Sequence, residues 1–260
     1  MTWIDSHCHL DHPALSKDIE GVIKRCQENS IEGVVVPSIC PSNMDDVIKL
    51  AKQFNICFFA LGFHPLYAKD VRQQDFKNLS MLLSDYDAVA VGEIGLDKFL
   101  PDCELDIQNK VFQTQLNISE SMELPVIIHS RGMIDLVTKQ LRKRKIKGGI
   151  IHAFNGSFQQ AEHLINLGFK LGFGGVITYE RATHIRTLAK NLPLDSIVLE
   201  TDSPDMRPAW IEKNSPNEPG HLKKISQALC DLRGLDIAEL AKIIKRNTIE
   251  ALPKLSKLYT

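Results

Sequence analysis

At 260 residues the chain is long enough for one sizeable core, and α/β barrels commonly reach that length as a single domain, so one domain spanning 1–260 is expected. A formal net charge of -1 excludes the global basic footprint that holds nucleic acid by counterion release, so any phosphate recognition has to come from a local site. No apolar run approaches the roughly 18 residues of a bilayer span, because even ICFFALGF ends at His64 and Pro65. Nothing before Thr2 resembles a secretory signal, and Cys8, Cys26, Cys40, Cys57, Cys103 and Cys230 form no CxxC pair. Reduced thiols in a cytoplasmic protein with no membrane partner are the expectation, and nothing in the chain argues against a monomer.

Strand and helix patterns take turns along the chain. TWIDSHCHL reads as a strand and is followed by a helical stretch at 16–29; IEGVVVPSI is next, with a helix at 41–54 opened by Pro-Ser-Asn. ICFFALGFHP, AVAVGEIGLD, PVIIHS, GGIIHAF, FKLGFGGVI and DSIVLETD supply six more strands, with helices expected at 75–84, 104–122, 133–145, 158–167 and 183–191. Runs such as GVVVP and SIVLE suit strands buried on both faces, as a parallel sheet covered by helices requires. Two further helices, 218–232 and 237–252, are one more than a barrel needs, and this last segment is expected to pack around its outside.

His7, His9, Glu93, His129, His152 and Asp202 each end one of these strand-like runs. An open doubly wound sheet gathers ligands at one switch point, whereas this set draws on the first, fourth, fifth, sixth and eighth strands. A TIM (β/α)8 barrel of the metal-dependent hydrolase type, with an extra C-terminal helix, brings all of them to one mouth. Along a strand alternate side chains share a face, so His7 and His9 point together and the Cys8 thiol turns into the core. A buried Glu93 needs a paired or bound cation. Asp202 is the candidate catalytic carboxylate, able to hold a metal and accept a proton from water, with Glu200 one step deeper orienting a ligand.

HCH with Asp11 after it, GFHP, VGEIGLD, PVIIHSR, HAFNGS, GGVITY and LETDSP, in this order, resemble the TatD family of metal-dependent deoxyribonucleases over nearly the whole chain. Gln108, Phe112, Gln115 and Leu116 fit that family's pattern, as does the Asn217-Glu218-Pro219 element; GGVITY and the Pro-Asp-Met after Ser203 resemble its YjjV-like branch. The resemblance implies one metal held by His7, His9, Glu93 and Asp202 and a second held by Glu93, His129 and His152. It places His64 against the substrate as a second catalytic residue. The loop after GLD departs from the family, reading KFLPDCE, and NTIEALPKL replaces its NxxxLF ending.

Four histidines with two carboxylates suit zinc, manganese, cobalt or nickel better than magnesium. Two such divalent ions can activate water for in-line displacement at a phosphodiester of DNA, with RNA as a variant. Arg131, Lys98, Tyr179, Arg181 and Arg207 follow strand ends and are candidate phosphate contacts. The basic run RKRKIK, 142–147, closes a helix and is expected at the opposite end of the barrel. His12, His163, His184 and His221 read as surface or packing residues. Two other functions stay open: a small-molecule amide, lactone or phosphoester hydrolase on the same centre, and a non-catalytic metal-binding scaffold.

Overall fold

Eight strands form one parallel sheet in chain order, in a computed structural model that describes residues 1–101 and 104–259. They are β1 Trp3–Asp5, β2 Ile31–Pro37, β3 Cys57–Leu61, β4 Ala90–Asp97, β5 Val126–Arg131, β6 Gly149–Ile151, β7 Phe169–Phe173 and β8 Ile197–Leu199. The seam between β8 and β1 is closed by the segments that follow them. Ser6 N–H donates to Leu199 O (3.1 Å), Asp202 N–H to His7 O (2.9 Å) and His9 N–H to Ser203 O (2.8 Å). This is the TIM barrel expected from the alternation, and its closing ladder is built from the same segments that carry candidate ligands.

Side-chain alternation splits the apolar residues into two cores. Trp3, Val34, Val36, Ile128 and Leu199 pack outward in the large cluster shared with the surrounding helices, while Ile4, Val35, Ala60, Ile127, Ile150 and Val198 fill the barrel interior. The helices follow the strands, and local chemistry starts them. Ser157, for example, accepts from Gln160 N–H (3.2 Å) while the Gln160 side chain accepts from Ser157 N–H (2.9 Å), a reciprocal cap on the helix Phe158–Asn166.

Three sequence expectations are corrected. The single helix at 16–29 is a turn, Pro13–Ser16, followed by the helix Ile19–Glu28. The seventh strand stops at Phe173 and Gly175–Thr178 curls into a 3-10 turn. The C-terminal helices, Leu222–Arg233 and Ile237–Ala251, do cover the outside, but Ala251, Leu252 and Leu255 also join the interior cluster and plug the barrel floor. The basic run lies just before β6 at that floor, where Lys147 pairs with Glu123 (3.3 Å) and Arg144 donates to Asn117 Oδ1 (2.9 Å), away from the mouth as expected. Cys8, Cys26, Cys40, Cys57 and Cys230 are free thiols; Cys103 lies outside the described residues. Among the described residues no helix is long and apolar enough to cross a membrane.

Candidate metal centre

The interior alternation runs on past the strand ends and aims side chains into the mouth. Two or four residues beyond an interior apolar side chain come His64 after Ala60, His129 after Ile127, His152 after Ile150, and Glu200 and Asp202 after Val198. β1 and β4 break this phase. His7 and His9 differ in parity from Ile4, and Glu93 differs from Ala90 where the β4–β5 register shifts between Val91 and Ile94. At β1 the break is tied down by Asp5, whose carboxylate accepts from Thr201 N–H (2.9 Å), the Thr201 hydroxyl (2.5 Å) and His7 N–H (3.3 Å). Cys8 turns away from the mouth into the core, bridging the backbone of Ser203, as its parity with the two histidines implies.

Glu93 is the hub. It is 2% exposed, and imidazoles face both of its oxygens. His7 Nε2 and His9 Nε2 lie 3.2 and 3.6 Å from Oε2, while His129 Nδ1, His64 Nε2 and His152 Nε2 lie 3.1, 3.7 and 3.9 Å from Oε1. Asp202 Oδ1 is 3.7 Å from His7 Nε2, 3.6 Å from His9 Nε2 and 3.7 Å from His152 Nε2. By mutual distance the donors form three groups, each within 4.8 Å: His7, Glu93 and His152; His7, His9 and Asp202; and His64, Glu93 and His129. His129 and His152, which the resemblance assigns to one ion with Glu93, fall into different groups by this distance although both face Glu93 Oε1, and His152 stacks on His7 at 3.8 Å between ring centroids.

Carboxylates behind the rings fix which nitrogen faces inward. Asp97 Oδ2 takes His129 Nε2 (3.1 Å), leaving Nδ1 toward Glu93; Glu200 Oε1 takes His152 Nδ1 (3.1 Å) and Ala153 N–H (2.7 Å), leaving Nε2 toward Asp202. Such a hydrogen bond sets ring orientation and raises ligand basicity. Glu200 has the place expected for it. Asp97, the last residue of GLD, shows no role in the sequence, and only its contact with His129 reveals one. His64 differs from the other rings, because its Nδ1 accepts from Leu66 N–H (3.0 Å). The neutral ring therefore carries its proton on Nε2, the atom that faces the site.

Without metal, burial and mutual charge set the protonation. Burial would raise Glu93, but the histidines around it, His7 and His64 first and then hydrogen bonds from His129 and His7, hold it well below the usual carboxylate range. Burial alone lowers His152, yet Glu200 and Asp202 push it up to about 10. Burial pushes His64 down to about 3, keeping it neutral, and raises Asp202. Four imidazoles (His7, His9, His129, His152) and two carboxylates, arranged in overlapping groups about Glu93, match divalent cations of borderline softness. The buried donor set fits a metal.

A cavity of about 490 Å³ opens onto the centre and is lined by His9, Asp11, Asn43, His64, Tyr67, Glu93, His129, His152 and Asp202 among others. His12, read from the sequence as a surface residue, also lines this wall. Asp11 Oδ2 accepts from Asn43 Nδ2 (2.8 Å), and its buried Oδ1 has no hydrogen-bond partner among the described residues. Its position in HCHLD was the sequence signal. The five expected phosphate contacts are not in this wall. Tyr179 and Arg207 line an adjoining groove that shares His12, Pro204 and Asp205 with the cavity; Arg181 stacks on Tyr179 (5.4 Å), and Lys98 and Arg131 both stack on Phe99 (5.0 Å each). The candidate ligands sit at strand ends, while these longer side chains, at or just beyond the strand ends, reach out to the rim. His184 bonds the backbone of Gly156 and His221 the side chain of Asn217, structural roles as expected.

The family model described as TatD related DNase matches residues 4–253. The uncharacterized metal-dependent hydrolase YjjV of Escherichia coli K12 is 37% identical over 249 residues, 95% of this chain and 96% of the relative. An uncharacterized metal-dependent hydrolase of Haemophilus influenzae is 35% identical over 261 residues, 96% of this chain and 97% of its own. The crystal structure of E. coli YjjV, a TatD homolog, matches with a TM-score of 0.93 at 35% identity, covering 96% of this chain and 98% of that one. A TatD family hydrolase from Entamoeba histolytica, 18% identical, shares the fold with a TM-score of 0.85 over 97% of this chain and 98% of its own. From the match over nearly its full length and the relatives that share that length, this chain belongs to the TatD family of metal-dependent hydrolases.

Proposed function

We propose that this protein hydrolyses phosphodiester bonds at the end of a DNA strand, using two divalent ions held on either side of Glu93. The observation that carries the reading is the convergence of His7, His9, His129, His152 and Asp202 on both oxygens of one buried carboxylate or on each other. His7, His9 and Asp202 with Glu93 Oε2 would hold one ion, and His129 and His152 with Glu93 Oε1 the other; zinc, manganese, cobalt and nickel suit these donors better than magnesium. When bound, the ions supply Lewis acidity toward a phosphoryl oxygen and an acidified water.

The chain's own side chains do the rest. Asp202, raised by burial, accepts the proton of the attacking water, a role that favours a carboxylate shifted toward neutrality. His64 presents Nε2–H, fixed by the Leu66 amide on its other nitrogen, and donates to a substrate oxygen; a ring with a proton there has no lone pair for a metal. The unpartnered Asp11 Oδ1 accepts from a hydroxyl of the terminal sugar. A cavity of about 490 Å³ holds one nucleotide-sized group and not a duplex, which favours cleavage from an end.

One observation favours a second reading, hydrolysis of a small amide, lactone or phosphoester. Among the described residues the cavity wall includes Asp11, Asp46 and Asp205 but no Lys or Arg. One panel separates the two: metal content of the purified protein, then turnover of single-stranded DNA, duplex ends, RNA and simple phosphodiesters, lactones and amides, with Asp202→Asn alongside. The expected result is cleavage of DNA ends that Asp202→Asn lowers by about 10²–10⁴-fold. Turnover of lactones or amides alone would transfer the case to the second reading, and full activity in Asp202→Asn would overturn the mechanism.

A further inference from the structure

The cavity holds only a terminal unit, so the rest of a strand has to leave across the rim, and one part of the rim presents an exposed aromatic ring beside two cations. Phe99 is a large apolar side chain left 57% exposed, immediately beyond the end of β4. Lys98 Nζ and Arg131 Cζ each lie 5.0 Å from its ring centroid. The loop that presents it is pinned: Phe99 N–H donates to Asp97 Oδ1 (2.8 Å) and Lys98 N–H to Arg131 O (3.1 Å). Gly132, at φ +68°, keeps the space clear beneath, since a Cβ there would fall 2.3 Å from Lys98 Cε and 2.9 Å from Phe99 Cε2. The other oxygen of the same Asp97 meets His129 (3.1 Å) and approaches Arg131 (3.9 Å), so the ring is anchored directly to a residue that orients the metal centre.

We propose that Phe99, flanked by Lys98 and Arg131, is a base-stacking platform for the single strand whose end enters the cavity, a specificity-determining residue for DNA. This rests on the phosphodiester reading of the centre. An exposed aromatic ring bordered by cations is the composition that binds single strands, the ring taking a base and the cations its flanking phosphates. The energetics favour the exchange. A base stacked on an aromatic side chain is worth about 5- to 150-fold in affinity, whereas a cation over an exposed ring is worth only about 2- to 5-fold. A base therefore displaces an ammonium from the ring face, and the displaced Lys98 reaches the phosphate beside that base. The acidic cavity wall and the cationic rim then divide the work, the ions holding the scissile phosphate and the rim holding the strand behind it.

The test compares a single-stranded hexadeoxyadenylate with phosphorothioate linkages and the same backbone with abasic positions, each titrated calorimetrically into metal-loaded protein. Wild type should bind the base-containing strand at least about 5-fold more tightly than the abasic one. Phe99→Ala should erase that difference, Phe99→Trp should keep it, and Arg131→Ala should weaken both strands alike. A merely structural role for Phe99 would weaken both strands and leave their ratio unchanged. A wild type with no base preference, or a Phe99→Ala variant that retains it, overturns the proposal. Cleavage of an unmodified strand without dependence on Phe99 would sink the platform and keep the phosphodiester reading; Phe99-dependent binding with no cleavage would do the reverse.

Discussion

Glu200→Gln isolates the charge behind His152. Glu200 is fully buried, and a single oxygen, Oε1, accepts from Ala153 N–H (2.7 Å) and pairs with His152 Nδ1 at 3.1 Å. A glutamine retains that oxygen, its hydrogen bond from Ala153 N–H and its contact with His152 Nδ1, so ring orientation survives while the negative charge goes. The charge acts across the imidazole on whatever sits at Nε2, a proton in the metal-free protein or a divalent ion in the loaded one. At roughly 6 Å and an effective dielectric of about 20, one unit charge is worth about 3 kcal/mol there. A dication feels about twice that and the proton it displaces feels it once, so the net loss on neutralisation is about one unit. Relaxation reduces this figure, and a 10–100-fold weaker metal affinity, about 1.4–2.7 kcal/mol, is expected. Chelator competition on wild type and Glu200→Gln at several pH values gives the affinity and its pH slope together. The variant should bind more weakly and with a flatter slope, because its His152 holds a proton less firmly. Affinity within twofold of wild type, in a protein with unchanged circular dichroism, would refute the reasoning.

Gly172→Ala approaches the same carboxylate from β7, where a Cβ would lie 2.3 Å from Glu200 Oε2. It should displace Glu200 and weaken metal binding as Glu200→Gln does, and a fully loaded Gly172→Ala protein at limiting metal would contradict this. Metal uptake by wild type should release protons, since His152, at about 10 in the metal-free protein, carries at neutrality a proton that binding must remove. Affinity should accordingly rise from pH 6 to 8, by up to about tenfold per unit for each proton displaced; a pH-independent affinity would show that His152 is already neutral. Iodoacetamide on the native protein, read by mass spectrometry, should label Cys40, which lines the cavity, and spare Cys57, whose thiol burial pushes up to about 12. Labelling of Cys57 at the rate of Cys40 would contradict that burial.

The sequence by itself determined the alternation of eight apolar strands with helices, and hence the barrel, because runs buried on both faces are legible one residue at a time. It also supplied the six candidate ligands, since a polar residue ending such a run has only the mouth to enter. Where phase holds from the interior core, at His129, His152 and Asp202, their inward direction follows from strand parity alone. At His7, His9 and Glu93 it does not, because Asp5 ties down the end of β1 and the register of β4 shifts, and both depend on partners far away in the chain. Distance along the chain also hid Asp97 behind His129 and the division of the histidines around Glu93, whereas the amide of Leu66, only two residues on, fixes the His64 tautomer through the local turn geometry after β3. Strand ends also leave open where the candidate phosphate contacts lie: a strand end fixes a direction, but a long side chain at or beyond it goes where its neighbours send it, as Phe99 draws Lys98 and Arg131 out of the cavity wall to the rim. Periodicity in one dimension gives the scaffold and the donors; which nitrogen faces the site, and which cations surround it, depend on hydrogen bonds and ring contacts that exist only once the barrel has closed.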